Sequence, residues 1–139
     1  MVFNNVMYAY IEHMLAKTDK RNFYNRYMNE KRKIKEQEHR LISFLLKQLD
    51  LTTEEYPIGE YVVEYEGGVM GSISFCLNDS PDYDQDLIQV EYTDADNVPV
   101  VITLTKDKNN SLLDLDFWKS DFSKLIQYPK PNDLVLKIV

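Results

Sequence analysis

The spacing of apolar residues changes period near Tyr56, and that change limits the folds open to the chain. Before it, Val6, Met7, Tyr10, Ile11, Met14 and Leu15 recur at helical spacing. Thr18 or Asp19 can cap a second helix running from Lys20 to about Leu49, on the order of 45 Å long. Its ends are apolar, with Phe23, Tyr24, Tyr27 and Met28 early and Leu41, Ile42, Phe44, Leu45, Leu46 and Leu49 late. Its middle, 29–39, is polar on every side except Ile34, which predicts a protruding section, a kink or an oligomer seam.

After Tyr56 the period is two. Tyr61, Val63 and Tyr65 alternate with Val62, Glu64 and Glu66; Val69, Gly71, Ile73, Phe75 and Leu77 alternate with Met70, Ser72, Ser74 and Cys76. A three-residue loop, Glu66-Gly67-Gly68, pairs Tyr65 with Val69 and Tyr61 with Ile73, keeping one face of the hairpin apolar. A third strand places Ile88, Val90 and Tyr92 inward. A fourth does the same for Val98, Val100, Ile102 and Leu104, with Pro99 outward at an edge or bulge. Leu113, Leu115 and Phe117 alternate with Asp114 and Asp116, which favours a fifth strand over a helix capped by Ser111. A short helix or turn follows at 121–126, and Leu134, Leu136 and Ile138 suit a last short strand. The expected architecture is α+β: N-terminal helices packed on one face of an antiparallel five-stranded meander, as a single domain over 1–139.

Charge divides at the same place as period. Residues 1–50 carry a net +4 and residues 51–139 a net −11. Between Gln48 and Thr105 there are thirteen Asp and Glu and no Lys or Arg. A surface of one sign steers cationic molecules toward it, so the expected partner is a basic protein. A pI near 4.8 argues against nucleic acid, whose phosphates reward Lys and Arg. The aromatics interleaved with Arg21, Arg26, Lys31, Arg32, Lys33 and Lys35 therefore read as a helix with a basic solvent side, which can also dock on the acidic face of a second subunit in a homodimer. Residues 1–16 lack a basic start and are interrupted by Asn4, Asn5, Glu12 and His13, unlike a signal peptide. No run reaches the roughly 18 apolar residues of a membrane span. The single cysteine, Cys76, fits a reducing compartment, and the expected location is cytoplasmic.

The richest carboxylate cluster is Asp79, Asp82, Asp84 and Asp86. The last three occupy positions 1, 3 and 5 of a calcium-loop pattern, but Leu87 and Thr93 stand where that pattern needs Gly and Glu. The loop reads as solvated acids able to grip Lys or Arg of a partner. Glu64 and Glu91 on the outward sheet face, and Asp94 and Asp96 in the turn after the third strand, extend this candidate partner-binding surface. Trp118 has outward parity in the fifth strand; it is either an exposed binding anchor or the cover of a second small core. Catalytic chemistry has little support. Cys76 with His13 or His39 lacks a third orienting group, the glycines form no phosphate loop, and no zinc spacing is present, so no cofactor is expected.

Four segments stand in order: Arg40-Leu41-Ile42 with Leu45-Leu46; Gly67-Gly68-Val69-Met70-Gly71-Ser72-Ile73-Ser74-Phe75; Asp94-Ala95-Asp96-Asn97-Val98-Pro99-Val100; and the LDFWKSDFSKL run from Leu115 to Leu125. Over about residues 40–130 they resemble an uncharacterised bacterial family of small, stand-alone acidic proteins, in which Val69 is an insertion into the glycine turn. The resemblance implies an immunity-type role, blocking a toxin. It carries no catalytic residue. A secretion or assembly chaperone, and a metal-dependent hydrolase using the aspartates, are the competing expectations.

Overall fold

The chain enters its sheet as a strand at the point where the sequence pattern predicts the middle of a long helix. In a computed structural model, residues 31–65, 68–75 and 82–136 are described. Lys31–Lys33 form edge strand β1, and the helix begins only at Glu36, as α1 (Glu36–Gln48). The continuous helix from Lys20 to Leu49 is thereby corrected. The expected helix over 6–15 and its following cap lie outside the described residues. The polar stretch that no single helix face could bury is where the chain changes from strand to helix.

Helix α1 forms because its ends and one face are satisfied. At its start the Glu38 carboxylate accepts the Lys35 backbone N–H at 2.8 Å, the N-terminal half of a capping arrangement. Leu41, Ile42, Leu45 and Leu46 make one buried stripe. The helix closes with a Schellman turn: Leu51 N–H reaches the Leu46 carbonyl, Asp50 N–H the Lys47 carbonyl, and Asp50 sits at φ 55°.

The remaining strands are β2 (Tyr61–Glu64), β3 (Ile73–Ser74), β4 (Tyr83–Thr93), β5 (Pro99–Asp107), β6 (Leu112–Lys119) and β7 (Val135–Leu136). All pairings are antiparallel, in the order β1-β2-β3-β6-β5-β4-β7. The architecture is thus a seven-stranded, mainly β sheet with one helix among the described residues, not N-terminal helices on a five-stranded meander. β4, β5 and β6 form a meander, but β3 lies beside β6, so β3 to β6 make a Greek key. β4 lies three strand spacings, about 14 Å, from β3, where a meander would place it alongside.

The β2–β3 register also differs from the expected one. Glu64 pairs with Ile73 and Val63 with Ser74, so the turn runs from Tyr65 to Ser72 and is longer than three residues. The odd shift turns β2 over: Val62 and Glu64 face the helix side, and Tyr61 and Val63 the other. Both later hairpins have three-residue loops with an asparagine in left-handed conformation, Asn97 at φ 63° and Asn110 at φ 60°.

The core lies between α1 and the sheet, where Val62, Ile73, Val90, Tyr92, Val100, Ile102, Leu104, Leu115 and Phe117 meet the helix stripe. A register shift between Leu104 and Lys106 brings Leu112 into the same core. Every residue of β6 is buried, on both faces of the sheet, including Asp114, Asp116 and Trp118.

Candidate functional site

The folded chain divides the acids into two populations. The first is held internally. Asp94 and Asp96 converge on Lys119, at 2.9 and 2.7 Å. Glu64 accepts Arg32 Nε at 2.6 Å. Asp84 accepts the Lys106 ammonium at 2.6 Å. The second population faces water. Asp82 and Asp86 are exposed at the start of β4, on either side of Tyr83, which is 43% exposed and donates its hydroxyl to Asp86 at 2.8 Å. Glu91 is half-buried beside an open depression of about 490 Å³ lined also by Tyr92, Gln127, Asp133 and Val135. Asp79 lies outside the described residues. Trp118 is 2% exposed and meets the Phe122 ring edge-on at 6.1 Å, so the exposed-anchor reading is corrected: it builds the interior.

The Lys119 centre explains the LDFWKSDFSKL run. Strand β6 delivers Lys119 to the end of the sheet where the β4–β5 turn also lies. Its ammonium donates to Asp94, Asp96 and the Lys124 carbonyl, which uses all three of its protons. Asp94 in turn accepts the backbone N–H groups of Ala95, Ile126 and Gln127. Burial alone would raise the Asp94 pKa. The Ile126 N–H, the Lys119 ammonium and the Ala95 and Gln127 N–H groups outweigh it and lower the pKa to about 2. For Lys119, burial pulls the pKa down and the two carboxylates raise it above its ordinary value. One buried charge cluster therefore pins the 120–128 segment across the end of the sheet. Leu125 N–H adds a bond to the Val69 carbonyl.

A second cluster lies where β1, α1 and β2 meet. Arg32 donates two parallel hydrogen bonds to Glu38, at 2.9 and 2.8 Å, and one to Glu64. The Glu38 bonds, ahead of opposing burial and the Glu64 bond, raise the Arg32 pKa. A cleft of about 210 Å³ opens over this pair, bounded by Lys35, Glu64, Gly68, Gly71, Lys124 and Tyr128. Gly68 (φ 77°) passes so close over Glu64 that a Cβ would fall 2.6 Å from its Oε2. Gly71 (φ 98°) lets Leu125 and Phe117 close behind it.

Among the described residues no group of three or more His, Cys, Asp or Glu is placed to hold a metal ion. No helix among them is long and apolar enough to cross a membrane.

Sequence reasoning missed Lys119, Arg32 and Tyr128. A lysine continuing an apolar strand is the one local signal for the first. Arg32 was legible as one of a run of basic residues, but its role depends on Glu64, 32 positions on; Tyr128 gave no signal, because Glu38 and Arg32 stand about ninety positions before it.

The chain matches the model of a family described as a domain of unknown function (DUF6984) over residues 31–129, and it belongs to that family. The matched span starts at β1 and ends one residue past Tyr128, so the Arg32 cleft and the Lys119 centre both fall within it. No curated protein and no solved structure matches the chain.

Proposed function

We propose that the protein is a small acidic binding module of inhibitor or immunity type, which neutralises a basic protein such as a toxin through the exposed start of β4. The observation that carries this reading is the exposed run Asp82-Tyr83-Asp84-Gln85-Asp86, in which the Tyr83 hydroxyl donates to Asp86. Of these acids only Asp84 has an ion pair with a basic residue of the described chain. A tyrosine beside exposed carboxylates offers contact area and charge-assisted pairing to incoming Arg or Lys. The net −11 of residues 51–139 adds long-range steering. A metal-dependent hydrolase is less well supported, because Asp84, the central acid of the loop, is engaged by Lys106. A chaperone that holds an unfolded segment has no specific observation in its favour.

The test is capture from native lysate on the immobilised full chain at low ionic strength, eluted with a salt gradient. One stoichiometric basic protein released by salt is the expected result. Recovery of the chain alone, or of a partner that salt does not release, contradicts the reading.

A further inference from the structure

We infer that β4 receives its basic partner as an extended segment, which adds as an antiparallel strand to the open edge of β4 over residues 84–87. This rests on the reading of β4 as the partner-binding strand and specifies how the partner is held.

The edge follows from the sheet order. β5 pairs with β4 along its length, and on the other side β7 reaches only Val90 and Glu91. Among the described residues no strand lies along 84–87 on that side. Residues 82–86 are all exposed. Successive residues of a strand face opposite sides of the sheet, so a layer over either face would bury some of them. An open edge turns backbone N–H and C=O groups outward, and an added strand satisfies them. The chain itself uses this edge in that way: Val135 and Leu136 lie antiparallel on it a few residues further along.

The side chains decide what can add. Register irregularities between Tyr83 and Gln85 and between Asp86 and Ile88 bend the edge, and acids flank it. Both devices keep an edge from pairing with its own kind. The β4 of a second copy would set carboxylate against carboxylate, which opposes pairing. An apolar strand would cover Asp82 and Asp86 without a cation, and neither has an ion pair among the described residues. A strand with Arg or Lys at alternate positions avoids both penalties. Its main chain fills the edge and its cations meet Asp82 and Asp86, while Asp84 keeps Lys106. Tyr83, whose hydroxyl donates to Asp86, offers its ring to an arginine there.

The test uses the full chain and a fluorescent peptide of alternating Arg and Thr, read by anisotropy at low salt. Two isomers carry N-methyl groups on the arginines or on the threonines. Alternate residues of a strand direct their N–H groups to opposite edges, so only one set faces β4. The expected result is binding of the parent peptide, at least about tenfold weaker binding of one isomer, and near-parental binding of the other. Asp82→Lys/Asp86→Lys should weaken the parent at least about tenfold. Equal binding of the two isomers, undiminished binding by the double variant, or no binding of the parent up to about 1 mM would overturn the added strand. If a basic protein is still captured from lysate and released by salt, that failure leaves the inhibitor reading standing; if none is captured, both fall.

Discussion

The Lys119 ammonium and the Asp94 carboxylate lie 2.9 Å apart, and neither side chain has any exposed surface. A charge this deep is tolerated because each partner is surrounded by further hydrogen bonds. Removing one partner leaves the other charged in the interior. Asp94→Ala should therefore lower the melting temperature by roughly 10–20 °C. Calorimetry on the variant checks this; a fall of only a degree or two would show that the centre is dispensable.

Acid should erase the contribution of Asp94 in a defined window. Its pKa is lowered to about 2 from an ordinary 3.8. A depressed carboxylate stabilises the fold fully above its unfolded value and loses that contribution as pH falls through the folded one. The stability difference between wild type and Asp94→Asn should be constant from about pH 5 to 7 and shrink from pH 4 toward 2. Urea unfolding over that range measures it.

Two backbone positions predict opposite effects. Asp50 carries a side chain at φ 55° in the helix-closing turn, and Asp50→Gly should stabilise by about 0.5–1 kcal/mol. Gly71 at φ 98° has Leu125 Cδ2 3.3 Å from where a Cβ would stand. Gly71→Ala should cost about 1–2 kcal/mol through strain and displacement of that leucine. Denaturant midpoints at constant slope test both.

Core truncation offers a calibration of these effects. Leu45 is fully buried between α1 and the sheet, and Leu45→Ala should destabilise by about 2–5 kcal/mol. The same denaturant series reads it out.

What the residues disclosed depended on range. The alternation of Val90 and Tyr92, of Val100, Ile102 and Leu104, and of Leu115 and Phe117 placed β4, β5 and β6 with their inward faces, because a hairpin is a local device. The pairing of β3 with β6 was not legible, since nothing near Ile73 records that Leu115, 42 positions on, will be its neighbour. β1 was read as helix because three basic residues have no period; their strand conformation comes from pairing with Tyr61–Val63. The candidate acids were legible as acids but not by role. Asp94 and Asp96 differ from Asp82 and Asp86 in what the fold brings to them: Lys119 to both, and the Ile126 and Gln127 N–H groups to Asp94.

Asp94 and Asp96 at the end of the sheet build the domain, whereas Asp82 and Asp86 at the start of β4 are the acids proposed to meet a partner. The most direct measurement is partner capture by wild type and by Asp82→Lys/Asp86→Lys, a pair that leaves the Asp84–Lys106 contact intact. The expected result is an unchanged melting temperature and retention of the basic partner reduced roughly tenfold or more. Equal retention by the reversed protein would contradict it.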